Sequence, residues 1–171
     1  MKKIVLLLSV ILVLLMASCG KEKEVETGLN PGIDTVEING TWTDAGAYLR
    51  TEEDDLVFFS DDEVDITVLG EYTIEYEKTF EEKLYKVTRM VVVLDETDPI
   101  VSLLSGLDTI QLNNDWVDGG CEVIDNSLEI LTCSTESTVD TTTLGVYEVL
   151  YTAEDSSGNI GEITRIVTVV E

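Results

Sequence analysis

Oxygen donors gather in three short segments of this chain: Asp95-Glu96-Thr97-Asp98, Asp125-Asn126 and Asp155-Ser156-Ser157-Gly158-Asn159. Carboxylate and amide oxygens are the ligands Ca²⁺ prefers. Asp95, Asp98, Asp125, Asp155 and Asn159 therefore form a candidate calcium set, provided the fold brings the segments together. The competing reading is that Asp and Asn are simply good turn formers. Other chemistry is poorly supplied. Histidine, the commonest general base and metal ligand, is absent. No glycine-rich phosphate loop and no Gly-x-Ser-x-Gly nucleophile elbow occurs. The pairs Asp54-Asp55 and Asp61-Asp62 could in principle serve glycoside hydrolysis, but adjacent carboxylates in polar stretches read as solvated turns. No catalytic residue is expected, and the chain reads as non-enzymatic.

The charge balance narrows the partners. Thirty-five acidic residues stand against 10 basic ones, a formal net charge of −25 over 171 residues. Nucleic acid is excluded as a partner, because its phosphates require Lys and Arg, and anionic lipid is a poor surface for the same reason. Solubility, repulsion from other acidic surfaces and cation binding are what such a balance favours.

The first residues have the layout of an export signal. Lys2-Lys3 is a positive n-region, Ile4 to Met16 is apolar apart from Ser9, and Ala17-Ser18-Cys19 is a small-residue cleavage site ending in cysteine. The apolar run is short for a membrane span. This resembles the bacterial lipoprotein signal, which implies a cleaved leader over residues 1–18, an acylated Cys19 as the palmitate-type anchor, and an extracytoplasmic, membrane-anchored location at the cell surface. If Cys19 is lipidated, Cys121 and Cys133 remain as a pair. A disulfide between them is expected in an oxidising compartment; two buried free thiols are the alternative. Residues 19–30, polar and without apolar period, read as a tether to the membrane.

An internal repeat organises the remainder. Residues 32–47, GIDTVEINGTWTDAGA, align without a gap on residues 106–121, GLDTIQLNNDWVDGGC, with seven of sixteen columns identical. They are Gly32/Gly106, Asp34/Asp108, Thr35/Thr109, Asn39/Asn113, Trp42/Trp116, Asp44/Asp118 and Gly46/Gly120. Gly70-Glu-Tyr72-Thr-Ile74-Glu-Tyr76 then matches Gly145-Val-Tyr147-Glu-Val149-Leu-Tyr151, and Thr88-Arg89 matches Thr164-Arg165. Two copies are expected, over residues 31–94 and 95–171.

Each copy reads as all-β, with short strands rich in Thr, Val, Ile and Tyr between turns of Gly, Asn and Asp. In the second copy, strands are expected at Ile100 to Leu103, Thr109 to Leu112, Trp116 to Ile124, Leu128 to Cys133 and, weakly, near Val139. A long hairpin over Leu144 to Val169 closes it, with Tyr147, Val149, Tyr151 and Ala153 on one face. The first copy lacks a clear equivalent of Ile100 to Leu103, leaving its first edge either frayed or supplied by the tether.

Thr97-Asp98-Pro99-Ile100, Trp116-Val-Asp118-Gly-Gly120, Asp125-Asn126, Thr143-Leu-Gly145-Val-Tyr147, Tyr151-Thr-Ala-Glu-Asp155-Ser-Ser-Gly158-Asn159 and Thr164-Arg165 fall in order along the second copy. This pattern resembles the bacterial immunoglobulin-like domain repeated in surface proteins and in some pesticidal crystal toxins. The resemblance implies two tandem immunoglobulin-like β-sandwich domains, the first degenerate, with a spacer or adhesion and display role. The alternative is a small glycan- or peptide-binding lipoprotein using a loop end or a sheet edge. In that topology Asp125-Asn126 and the Asp155 turn lie at the end where the chain enters, so the calcium set would converge on the junction of the copies. No other cofactor is expected. The partners expected are the membrane, through Cys19, and a protein or glycan at the cell surface.

Two side-chain pairs share equivalent places in both copies. Trp42 and Trp116 read as packing over the end of a sandwich core, with a sugar platform as the alternative. Arg89 and Arg165 share strand phase with core valines, so each is expected half-buried against a carboxylate. Phe80, at an acidic hairpin tip, either stands exposed or folds back on the sheet.

Overall fold

The computed structural model describes residues 23–171; the leader and Cys19, on which the lipid-anchor expectation rests, lie outside the described residues. The described part is built of strands, with no helix. The first copy supplies β1 (Glu26–Leu29), β2 (Thr35–Glu37), β3 (Ala47–Arg50), β4 (Asp55–Phe58), β5 (Gly70–Phe80) and β6 (Lys83–Leu94). One of its sheets runs β1-β3-β4, and the other β2-β6-β5, with β2 parallel to β6. The second copy supplies β7 (Ile100–Leu103), β8 (Thr109–Gln111), β9 (Cys121–Ile124), β10 (Ser134–Ser137), β11 (Gly145–Glu154) and β12 (Ile160–Val170). Its sheets run β7-β9 and β10-β11-β12-β8, with β8 parallel to β12.

Period-2 alternation decides what each hairpin buries. In β11, Val149, Tyr151 and Ala153 are buried and Tyr147 is half-buried, and across the ladder they meet Val167 and Val169 of β12. Val101 and Ile110 complete that core. Ile74, Tyr76, Val91 and Val93 form the matching half of the first core, closed by Ala47, Leu49 and Phe58 from the facing sheet. The tips differ. Asp155 to Asn159 closes the second hairpin through Gly158 at φ 89° and a bond from the Asp155 amide to the Asn159 carbonyl. In the first, Glu81 and Glu82 both take positive φ between the paired residues Phe80 and Lys83, the two-residue turn that matches strand twist. Phe80 is folded back against the first core.

Several expected elements are shifted. Residues read as tether form β1, whose Leu29 pairs with Ala47, so the tether supplies the first edge of its own copy. The strand expected from Trp116 begins only at Cys121, because Asp118 and Gly120 form a turn in which the Gly120 amide donates to Asp118 Oδ1 at 3.0 Å. Leu128 to Cys133 is not a strand: Leu128 takes φ 63°, and Ile130 is almost fully exposed. The strand follows at Ser134–Ser137, and Val139 lies in the loop beyond it.

The copies also differ in where their fourth strand goes. β4 joins β3, whereas β10 crosses over to join β11. A disulfide between Cys121 in β9 and Cys133 just before β10, with Cα atoms 6.5 Å apart, fastens that crossover. In the first copy Ala47, which aligns with Cys121, pairs with Phe58 through the backbone ladder instead. Closing a loop of 12 residues in the unfolded chain stabilises the fold by about 3 kcal/mol in the chain-entropy account.

Candidate functional site at the junction of the two copies

Five residues, Asp95 to Pro99, connect β6 to β7. Asp95 directly follows β6, Asp125 follows β9 and Asp155 follows β11, so three strand ends aim at one place. One carboxylate oxygen from each of Asp95, Asp125 and Asp155 lies within 4.8 Å of the others. Asp95 and Asp155 are buried, with 8% and 6% of their surface exposed. None of the ion pairs among the described residues involves any of the three. Carboxylates this close repel one another, and in a site shielded from water the repulsion is strong unless a cation offsets it.

Hydrogen bonds hold the three in place. Asp155 Oδ1 accepts from the amides of Ser157 and Asn159, both at 2.9 Å, and its Oδ2 accepts from Asn159 Nδ2 at 2.7 Å. Burial pushes the Asp155 carboxyl up, but the Asn159 side chain and these amides outweigh it and hold the group below its ordinary value. Asp125 Oδ2 accepts from the Ser127 amide at 2.8 Å and from its hydroxyl. Asp125 Oδ1 and Asn126 Oδ1 are buried without a hydrogen-bond partner, and an unmet buried acceptor is costly. Asp95 accepts weakly, from the Thr97 amide at 3.3 Å and from Ser157 Oγ at 3.5 Å.

Three of the five residues read as a calcium set therefore meet. Asn159 is adjacent but acts as a donor, its Nδ2 also reaching the Asp95 carbonyl at 3.2 Å. Asp98 is exposed and stands apart, on a shallow hollow of about 220 Å³ shared with Ile100, Ile124, Asp125 and Asn126. Two residues of the first copy whose place here the sequence did not foretell, Glu37 and Asn39, complete the junction. The Glu37 carboxylate accepts from the Glu96 amide at 3.1 Å and from Asn126 Nδ2 at 3.3 Å. Asn39, held at φ 57°, donates through Nδ2 to the Asn126 carbonyl at 2.9 Å. Glu37 aligns with Gln111, so the repeat itself gave no signal for it.

A second constellation occurs once in each copy. Arg89 and Arg165 are not half-buried as expected but almost wholly so, each 3% exposed. Arg165 Nη1 pairs with Asp108 at 2.6 Å, Nη2 donates to the Leu104 carbonyl, and Nε donates to the Tyr151 hydroxyl at 3.4 Å. Tyr151 in turn donates to Asp118. Arg89 repeats this with Asp34, the Asn30 carbonyl and Tyr76, and Tyr76 donates to Asp44. Burial, followed by the bond to Asp44, pushes the Tyr76 phenol up to about 12. The two tryptophans match as well: Trp42 and Trp116 lie against their cores, with Nε1 donating at 2.9 Å to the carbonyls of Ile33 and Leu107. A guanidinium with every face occupied by carboxylate, phenol and carbonyl is structural, with no opening for a substrate.

Compared with known proteins, residues 104–169 match the family described as bacterial surface protein, Ig-like domain. No curated protein matches the chain. The matched span runs from the end of β7 through the paired ladder of β11 and β12, taking in the disulfide and the Trp116, Asp118, Tyr151 and Arg165 positions. Residues 104–169 are an Ig-like domain of the bacterial surface-protein type.

Proposed function

We propose that the chain is a non-enzymatic cell-surface lipoprotein, anchored through Cys19, whose two copies are tandem Ig-like β-sandwiches acting as a spacer or display module. The observation that carries this reading is the family match of the second copy, joined to a first copy that repeats its long hairpin, its parallel closing strand and its Arg–Tyr–Asp network. Among the described residues no helix is long and apolar enough to cross a membrane. Membrane attachment therefore rests on the leader and its cysteine. Metabolic labelling with an alkyne fatty acid in a bacterial host tests it: the chain takes up label, and Cys19→Ala loses the label and leaves the membrane fraction. Label retained by Cys19→Ala would sink the anchor.

The junction supports a further element of this role, the binding of calcium by Asp95, Asp125 and Asp155. The donor set is oxygen only, and the buried, unpartnered Asp125 Oδ1 supports a hard cation in preference to a turn. Such an ion would stiffen the connection between the copies by tying β6, β9 and β11 together. Calorimetry on chain stripped with EDTA is expected to show binding in the range of about 0.1 to 1 mM. Saturation should raise the melting temperature by about 5 °C, and Asp95→Asn with Asp155→Asn should abolish both effects. No heat and an unmoved melting temperature at millimolar Ca²⁺ would end the idea.

A further inference from the structure

We propose that the free edge of β5 is a strand-addition site for an extended segment that alternates basic and apolar residues. The inference goes beyond the spacer role and depends neither on the anchor nor on calcium. It begins from the strand that changes sheet. In the second copy β10 lies along β11, pairing Ser134 with Thr152 and Ser137 with Val149. The Thr138 amide extends that ladder to the Glu148 carbonyl. In the first copy β4 goes to the opposite sheet, and β5 has β6 on one side only.

The repeat register identifies which backbone groups are left. Glu148, Leu150 and Thr152 correspond to Thr73, Glu75 and Glu77. A groove of about 530 Å³ runs along these three, walled by Phe59, Ser60, Asp61 and Asp62. It follows the path β10 takes in the other copy. All three strand residues are exposed, whereas Leu150 and Thr152 are half-covered by β10. Unpaired strand edges are templates for a further strand.

The edge is guarded at a single residue. Ser60 Oγ donates to the Glu75 carbonyl at 2.6 Å, and the Glu75 amide donates to Asp62 Oδ2 at 2.8 Å. Two loop side chains thus imitate one residue of a partner strand. They leave Thr73 and Glu77 on either side, and they are side chains an incoming backbone can replace.

Charge and pleat define the occupant. Ile74 and Tyr76 face the core, so Glu75 and Glu77 face outward beside the alternate side chains of an added strand, with Asp61 and Asp62 close by. These four carboxylates call for Lys or Arg at every second position. The intervening side chains turn to the other face of the added strand, and exposed Phe59 on the groove wall offers an apolar surface beside it. A second copy of this chain is a poor occupant, because two β5 edges would set Glu71, Glu75 and Glu77 against their own copies.

The test uses the full chain in neutral detergent and a capped peptide of alternating lysine and valine, about eight residues long. Its control carries N-methyl groups on the amides of alternate residues, preserving charge and removing the donors. Calorimetry is expected to give a dissociation constant on the order of 100 μM for the parent peptide. Amide exchange should slow at Thr73 and Glu77. N-methylation, or Glu75→Lys with Glu77→Lys on the exposed edge, should each weaken binding about tenfold or more. Equal binding of parent and methylated peptide would show attraction by charge alone and overturn the proposal. So would protection at amides away from β5, absence of binding at millimolar peptide, or self-association of the chain through this edge.

Discussion

Replacing Arg165 with Met is expected to lower the melting temperature of the second copy by about 15 °C, read by calorimetry or circular dichroism. Met keeps most of the aliphatic volume, so the loss is polar. Three contacts disappear together: the pair with Asp108, the bond to the Leu104 carbonyl and the bond to the Tyr151 hydroxyl. Asp108 is 61% exposed and returns to water at little cost. The Tyr151 hydroxyl, in a fully buried side chain, keeps only Asp118. The cost lies in the neutral partners: the Leu104 carbonyl loses its donor and the Tyr151 hydroxyl loses one of two bonds, together about 3 kcal/mol. For a domain of this size each kcal/mol moves the midpoint by about 4 to 8 °C. Arg165→Lys keeps the charge but not the fork, and should recover only part of the loss. A midpoint within about 2 °C of the parent for Arg165→Met would contradict the structural role.

Gly161→Ala should do comparable damage for a steric reason. Gly161 lies buried in β12, and a Cβ there would sit 1.8 Å from the Pro99 carbonyl oxygen and 3.3 Å from Val101 Cγ2. Contact at that range requires β12 and the incoming linker to part by more than an ångström. Overpacking of this kind costs about 3 kcal/mol. In the first copy the equivalent residue is Tyr85, half-buried against its core. Glycine is thus needed where the linker crosses the hairpin, and not by the hairpin as such. Moving Pro99 also moves Asp95, four residues upstream, so Gly161→Ala should weaken the junction as well as the core. Unchanged stability in denaturant titration would mean that the linker yields without cost.

The repeat was legible because four of its seven identical columns are parts of one machine. Gly32 and Gly106 leave room for the guanidinium, which a Cβ would meet at 2.9 and 2.8 Å. Asp34 and Asp108 carry its counter-charge, Asp44 and Asp118 accept from the tyrosine, and Gly46 and Gly120 take positive φ to donate to those same aspartates. The long hairpins were legible from alternation, since a face meets either core or water. Short strands were not. Leu128 to Cys133 has an apolar composition, yet one residue in the left-handed region at Leu128 turns Ile130 outward. The choice of sheet made by β4 and β10 has no local signature either, because it depends on what the facing edge offers. At the junction, Asp95, Asp125 and Asp155 followed from topology, whereas the contacts of Glu37 arise only between the copies and left no signal, and Asn39 is shared with Asn113 for its positive-φ turn and not for its bond across the junction.

The parallel closing strands have a mechanical consequence. β2 lies parallel to the last residues of β6, and β8 to the last residues of β12. Their ends are fastened by the Ile38 amide on the Leu94 carbonyl and the Leu112 amide on the Val170 carbonyl, both at 2.7 Å. In each copy the second strand therefore lies beside the strand by which the copy is left. Tension drawn along the chain slides these neighbours in opposite directions, loading their bonds side by side instead of one after another. Copies built this way resist pulling in proportion to the whole clamp, and the weakest point of each under load is the short patch of parallel ladder, not the long hairpin.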